Sequence, residues 1–481
     1  MRGDDRLERP RLLRGPAGDR DHVPHRDGGL HQHRRGDGGA SQQGPGAAVP
    51  ELRRIEPAFH EHGGRPPVER GAPCPGRRNA GFDLWQRGEP VRRGRALSAA
   101  ALPPSSGTLG VLSTSHPPFR VAIACGGTGG HLFPGLAVAG ALRERGAESL
   151  LIVSEKEVDQ LALGGESRFE VLRLPAVGLG GENRLRFLRR LWSSYRLCAA
   201  AFRGKAPDAV IGMGGFTSVA PALAGRRSGA ALYLHDSNAI PGRANRWLSR
   251  WVKTAFVGFP EAATRLRCRD VVVSGTPVRG HLSRPASPSP ARVELGLDPL
   301  RPVLLVMGGS QGARGVNQAL LSALPRLAAE APEIQYLHLT GASDLAGVEA
   351  RYRELGLRAV TRPFLHEMEL ALGAATVAVS RAGASSIAEF AATRVPAILI
   401  PLPSAADDHQ TANARAVAAA GGAVFLPQSE AQAGGLADQV LPLIRDSQRR
   451  QPIITALERL HRPDSAQQIA DRICRHVPPV L

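Results

Sequence analysis

The sequence predicts an α/β protein of two doubly wound, mostly parallel sheets. Three observations carry this. Short Val/Ile-rich runs alternate with helical or loop segments. The alternation starts twice, with a proline-rich break between. Each start has the order strand, glycine-rich loop, helix. Alternation of this kind buries a parallel sheet under helices on both faces, so its strands read as continuous apolar runs.

The first run opens with FRVAIAC (119–125), a glycine loop and an apolar-periodic helix, then LLIVS (150–154). AVIG (209–212), ALYLHD (231–236), TAFVG (254–258) and VVVSG (271–275) continue it. SRPASPSPAR (283–292) interrupts and reads as a linker or an early loop of the next domain. The second run has RPVLLVMGG (301–309), IQYLHLTG (334–341), AATVAVS (374–380), VPAILIP (395–401) and AVFLP (423–427). From about 430 onward the pattern is helical, and PDSAQQIADRICRHV reads as a capped amphipathic helix. The expected organisation is a leader over 1–118, an N-terminal domain over 119–280 and a C-terminal domain over 281–481. The last helix is a candidate to return to the N-terminal domain.

The chain has 481 residues and a net charge of +18. At roughly 100–200 residues per domain, that length allows two to four domains. The apolar content of 42% excludes a wholly disordered chain. No uninterrupted apolar run reaches the roughly 18 residues of a spanning helix. Five scattered Cys (74, 125, 198, 268, 474) without C-x-x-C spacing argue against a disulfide framework or a zinc site, and fit a reducing compartment.

The charge first suggests nucleic acid or an anionic membrane. Residues 1–118 hold 19 Arg against 13 Asp and Glu, a net of +6, which leaves +12 for the remainder. The leader is dense in Gly, Pro, Arg and His and has no apolar period, so no core-forming element can be placed there. It reads as a disordered tail, a nucleic-acid arm, or translation from a mis-assigned start. Its interleaved acids argue against the nucleic-acid arm, since such arms carry clustered bases.

Three glycine loops follow strands: GGTGGH (126–131), GMGGF (212–216) and GGSQGAR (308–314). Glycine lets the backbone approach a phosphate closely, and a helix N-terminus favours negative charge. The first lacks the dinucleotide G-x-G-x-x-G spacing and does not continue into the G-K-[ST] of a Walker A loop. Two such domains face to face would form a cleft with phosphate cradles on both walls. That suits a transferase or hydrolase with at least one pyrophosphate substrate.

Together with HDSN (235–238), SGTPVR (274–279), RAGASSIAE (381–389) and DDHQTANA (407–414), these loops resemble the MurG family. The resemblance runs from about Phe119 to the C-terminus, and residues 1–118 match nothing in that family. It implies the GT-B fold, two Rossmann-like domains facing a cleft. It implies transfer of N-acetylglucosamine from UDP-GlcNAc to the C4 hydroxyl of MurNAc in lipid I, giving lipid II for peptidoglycan synthesis, with inversion and with no cofactor or chelated metal.

The implied substrate contacts are Thr128, Gly129 and Gly130, then Asn238, Arg279, Ser310 and Leu365. Ala384, Ser385, Ser386, Ile387, Ala388 and Glu389 would form the helix start that takes the diphosphate, and Gln410 would contact the sugar hydroxyls. A helix N-terminus with two hydroxyls and free N–H groups suits a diphosphate. Glu389, one turn after Ser385, can share its face and accept from ribose hydroxyls. The same Ser-Ser-x-x-Glu is also a capping box, and Asp407 and Asp408 could simply cap the helix they precede. His131 is the first candidate for the base that deprotonates the acceptor hydroxyl. His235, at a strand end, is the alternative, more readily satisfied by local hydrogen bonds. Asp236 stands where the family commonly has Glu and is a second candidate catalytic group.

NRLRFLRRLWSSYRLCAAAFR (183–203) is basic, amphipathic and aromatic. It reads either as a helix packing its apolar stripe inward, or as a face for an anionic membrane. A lipid-linked acceptor favours peripheral attachment at the cytoplasmic face of the inner membrane, with the +12 serving lipid and UDP and no nucleic-acid partner. The rivals are a GT-B transferase with another acceptor such as a diacylglycerol, a sugar-nucleotide epimerase, and a nucleic-acid binder.

Overall fold

The computed structural model describes residues 119–127, 129–155, 168–175, 184–283, 286–309 and 312–476. The leader 1–118, Thr128 and Ser310 lie outside the described residues, and so do the expectations that fall on them.

The first unit of structure runs β1 (Arg120–Ala124), α1 (Gly129–Arg143), β2 (Glu148–Ser154), β3 (Glu170–Leu174), α2 (Arg184–Gly204), β4 (Ala209–Gly212), α3 (Val219–Arg227), β5 (Ala231–Asp236), α4 (Arg243–Leu248), β6 (Thr254–Val257), α5 (Pro260–Ala263) and β7 (Val271–Val273). Its seven strands lie in the order β3-β2-β1-β4-β5-β6-β7 and pair in parallel throughout. Every side chain of β1 is buried, as expected for a central strand covered on both faces.

The second unit runs α6 (Pro288–Glu294), β8 (Val303–Met307), α7 (Arg314–Glu330), β9 (Gln335–Leu339), α8 (Leu345–Glu354), β10 (Ala359–Arg362), α9 (Met368–Ala374), β11 (Val377–Ser380), α10 (Ala384–Thr393), β12 (Ala397–Leu399), α11 (His409–Ala419) and β13 (Val424–Phe425). Helices α12 (Leu436–Arg445), α13 (Ser447–Leu460) and α14 (Ser465–His476) follow. Its six strands are ordered β10-β9-β8-β11-β12-β13, again parallel.

Two details depart from a plain reading of the sequence. Part of the proline-rich stretch is α6 and not linker. Pro288 falls in its first turn, where a missing N–H costs nothing and the fixed φ suits a helix. Arg292 then ties this helix to the second unit, donating to the carbonyls of Ala374 (3.0 Å) and Pro299 (3.1 Å) and to the Thr376 hydroxyl (3.1 Å).

The chain also crosses back at its end. Helix α14 packs on α1, with Ile469, Ala470 and Ile473 wholly buried in the core of the first sheet beside Val138 and Leu142. Full burial of one isoleucine stabilises by roughly 1.5–3 kcal/mol. Arg145 donates to Asp471 at 2.7 Å and fixes the angle of approach.

Each sheet reverses its winding once, between β1 and β4 in the first and between β8 and β11 in the second. Open α/β sheets bind ligands outside the carboxyl ends of the strands at such points. The loops GGTGGH and GMGGF follow β1 and β4, while GGSQGAR and RAGASS follow β8 and β11. The fold thus gathers the sequence's glycine loops at both switch points.

Candidate active site

His131 sits in the first turn of α1, wedged against the GMGGF loop. A Cβ on Gly214 would lie 2.6 Å from its Cε1, and a Cβ on Gly215 would lie 3.5 Å from its Nε2. Gly214 and Gly215 have φ of 123° and 72°, so two glycines let the backbone fold around the imidazole. Thr217 fastens the two loops, donating to the Gly126 carbonyl at 2.6 Å, and Ser218 closes the second one, donating to the Gly214 carbonyl at 2.8 Å.

His235 is wholly buried, and its Nε2 donates to the Gly275 carbonyl at 3.0 Å. Burial holds the imidazole below the ordinary histidine value, so it stays neutral. Asp236 is buried as well. It accepts from Asn238 N (3.0 Å), Asn238 Nδ2 (3.3 Å), Gly242 N (2.8 Å) and Asn245 Nδ2 (2.9 Å). A carboxylate this fully engaged organises the 236–245 loop.

Asn238 points toward the second domain. Its side-chain oxygen accepts from Asn413 Nδ2 at 3.1 Å, while Asn413 Oδ1 accepts from Ala239 N at 2.8 Å. Asn413 is fully buried in this junction. Sequence reasoning quoted its motif without singling it out, because nothing local marks a mid-helix Asn as a bridge to residues 175 positions away.

On the other wall, α10 begins after Gly383 with no side-chain cap. The Ser-Ser-x-x-Glu capping box is therefore not formed. The Ser385 hydroxyl donates across the cleft to the Gly130 carbonyl at 2.9 Å. That carbonyl is free because Pro134, four residues on, has no N–H to give it. Glu389 faces Arg279, whose Nη2 is 3.7 Å from its carboxylate. The Arg279 guanidinium lies 4.2 Å above the Phe133 ring, and its Nε and Nη2 are buried without a hydrogen-bond partner. Burial pushes the Glu389 carboxyl above its ordinary value, and Arg279 opposes the shift.

The structure thus brings together Gly130, Ser385, Arg279 and Glu389, with Gly129, Ala384, Ser386, Ile387 and Ala388 on the same two helix starts. Leu365 lies partly buried between β10 and α9, packed on the second domain's core. Gln410 opens α11 and accepts from Leu402 N at 3.0 Å. Asp407 and Asp408 do not cap that helix. The Asp407 carboxylate is instead taken by Arg243 and Arg246 of the first domain. Among the described residues, no group of three or more His, Cys, Asp or Glu could hold a metal ion.

Helix α2 presents Leu185, Leu188 and Trp192 outward, at 68%, 57% and 61% exposure, while Cys198 and Phe202 face the core. Most of the large apolar residues in the first half of this segment thus lie on the outside, while Tyr195 packs inward. A groove of about 500 Å³ beside it is lined by Pro175, Leu185, Arg186, Arg189, Arg190 and Ser193. Among the described residues, no helix is long and apolar enough to cross a membrane.

Comparison with known proteins follows the same division. The glycosyltransferase family 28 N-terminal domain matches residues 121–257, and the glycosyltransferase family 28 C-terminal domain matches residues 303–469. A UDP-N-acetylglucosamine–N-acetylmuramyl-(pentapeptide) pyrophosphoryl-undecaprenol N-acetylglucosamine transferase of Alkalilimnicola ehrlichii is 39% identical over 364 residues, 74% of this chain and 98% of the relative. The protein of that name from an Anaeromyxobacter species is 36% identical over 365 residues, 73% of this chain and 92% of its own. Among solved structures, Acinetobacter baumannii MurG superimposes with a TM-score of 0.59 at 26% identity, covering 75% of this chain and all of that one. A Listeria monocytogenes putative UDP-N-acetylglucosamine 2-epimerase shares the fold at 13% identity, with a TM-score of 0.58 over 75% of this chain and 97% of that one.

Proposed function

The chain belongs to the MurG family within glycosyltransferase family 28, and on that premise we propose that it moves N-acetylglucosamine from UDP-GlcNAc to lipid I, forming lipid II. It is an inverting UDP-sugar transferase of peptidoglycan synthesis. The observation that carries the donor site is Arg279. Its Nε and Nη2 are buried without a hydrogen-bond partner, beside Glu389 and the start of α10. Buried guanidinium donors need an anion, and a diphosphate at a helix N-terminus supplies one.

In this reading Arg279 and the N–H groups around Ser385 and Ser386 stabilise the charge that develops on the leaving UDP. Glu389 accepts from ribose hydroxyls, Leu365 lies beside the uracil, and Gln410 meets the sugar. Gly129 and Gly130, at the start of α1, begin the donor contacts. His131 takes the proton of the C4 hydroxyl as its oxygen attacks the anomeric carbon from the face opposite UDP, which inverts that centre. Asp236 holds the Asn238 loop in place, acting through position and not as a base.

The acceptor's undecaprenyl chain stays in the bilayer, so the enzyme works at the cytoplasmic face of the membrane. The exposed Leu185, Leu188 and Trp192 beside Arg186, Arg189 and Arg190 support peripheral attachment to anionic lipid.

The test is turnover of labelled UDP-GlcNAc with and without a lipid I analogue. Lipid-dependent formation of a disaccharide lipid is expected. Sugar turnover that ignores the acceptor would overturn the proposal in favour of an epimerase.

A further inference from the structure

We propose that Asp407 is a positioning residue for the donor sugar: gripped by Arg243 and Arg246 of the first domain, it sets the first turn of α11 and with it Gln410. The inference rests on the donor-site reading above and adds to it a link between the domains.

Asp407 and Asp408 have φ/ψ of 52°/23° and 52°/30°, two successive left-handed residues that are not glycine. L-residues avoid that region, and Asp enters it readily only when its side chain bonds locally. Two arginines of the first domain hydrogen-bond the Asp407 carboxylate. Arg243 donates to it from Nε (3.1 Å to Oδ1, 3.2 Å to Oδ2) and from Nη2 (2.7 Å to Oδ1), and Arg246 donates from Nη2 (2.7 Å to Oδ2). The turn is therefore held from outside. Hydrogen bonding from Arg243, and the charges of both arginines, keep the carboxyl below the usual aspartate value, so the clamp is ionised at neutral pH.

The arginines stand on a fixed platform. They lie three residues apart on α4, hence on one face. Asp236 anchors that helix through Gly242 N and Asn245 Nδ2. On the far side of the clamp, α11 starts at His409, and Gln410 closes the turn back onto Leu402 N. One helical turn later Asn413 binds Ala239 N and Asn238. Helix α11 is thus held to the first domain at two points, and Gln410 lies between them. The Arg243 and Arg246 side chains are 65% and 39% exposed, so an inconsequential surface ion pair is the alternative to be separated by experiment.

The clamp orients the sugar contact and not the nucleotide contacts. Asp407→Asn keeps shape and tolerance of the left-handed region. It should raise KM for UDP-GlcNAc about tenfold while inhibition by UDP stays within about twofold, a split that a general loss of structure does not produce. Asp407→Gly, which relieves the backbone, should behave alike. Replacing Arg243 and Arg246 by Ala should match Asp407→Asn, and the triple variant should be no worse than either.

An unchanged donor KM in both Asp407 variants would overturn the proposal. So would parallel weakening of UDP, or additive losses in the triple variant. Gln410→Ala separates the two levels. If it too leaves the donor KM unchanged, the donor-site reading of α11 fails. If it raises KM and the Asp407 variants do not, only the clamp is wrong.

Discussion

Replacing Gly214 by alanine tests the placement of His131 directly. The added Cβ would stand 2.6 Å from the His131 Cε1 and 2.8 Å from its Nδ1. Non-bonded carbons prefer roughly 3.5–4.0 Å, so the imidazole or the loop must give by about 1 Å. The backbone adds its own penalty, because φ of 123° is open to glycine and strained for alanine, by about 1–3 kcal/mol. A displacement of about 1 Å at a catalytic base can cost roughly a hundredfold in rate.

Gly215→Ala is the matched control. Its φ of 72° is left-handed, at a cost of about 1–2 kcal/mol. Its Cβ would lie 3.5 Å from the ring, an ordinary contact. Both variants should melt below the wild type. Only Gly214→Ala should lose kcat about a hundredfold with a lipid I analogue, while Gly215→Ala stays within about threefold. Equal losses of kcat, or a Gly214→Ala enzyme with lowered Tm and normal kcat, would refute the assignment of His131 as base.

Three further outcomes follow from the same geometry. Asp236→Asn should cost about 1.5–3 kcal/mol in thermal stability, because it puts an amide where four donors converge, and should leave the acid limb of the pH–rate profile in place; loss of that limb would make Asp236 the base. Glu389 is held above the ordinary value of 4.5 by burial. Between that value and its folded one the native chain binds more protons than the unfolded chain, so stability falls as pH rises through the window. Glu389→Gln should remove this slope in melting curves taken from about pH 4 to about pH 7, and should weaken UDP binding; parallel slopes in the two proteins would contradict it. Reversing Arg186, Arg189 and Arg190 to Glu should weaken co-sedimentation with anionic vesicles and spare UDP affinity, and unchanged sedimentation at low salt would remove the membrane role of this face.

The strands legible in the sequence are those that are apolar along their length. All eleven apolar runs read as strands are strands: nine are interior, where a parallel strand must be apolar on both faces, and β7 and β13 are edges that are apolar in sequence all the same. Strands β3 and β10 escaped, and both are edges. Their residues EVLRL and AVTR mix exposed and half-buried positions, so no continuous run marks them. Helix α6 escaped because its prolines read as breakers, although Pro288 occupies the one turn where proline suits a helix.

The candidate site divides along a similar line. Glycine loops and helix starts are local patterns, so they were visible in the sequence. The pairing across the cleft was not, since Arg279 with Glu389, Asn238 with Asn413 and Arg243 with Asp407 each join residues more than a hundred positions apart. The capping readings of Ser385 and Asp407 failed for one reason. A local rule assigns a side chain to the nearest backbone, and in both cases a group on the other domain outbids it.

Pro134 shows how a local irregularity prepares such a contact. Inside α1 it cannot donate to the Gly130 carbonyl, and a helix interior normally disfavours that loss by about 3 kcal/mol. The orphaned acceptor lies in the first turn, on the face that meets α10, and Ser385 satisfies it at 2.9 Å. The penalty is thereby turned into a directional link between the start of α1 and the start of α10. The neighbouring Phe133 lies under Arg279 in the same turn, so two adjacent residues of HLFPG serve both walls. Arg279 contributes to the same closure more loosely, with its carboxylate 3.7 Å away and two nitrogens unbonded. A diphosphate can therefore take those nitrogens without first breaking a strong ion pair. Together the two contacts link the walls, and on the proposed function they leave Arg279 open to the leaving group.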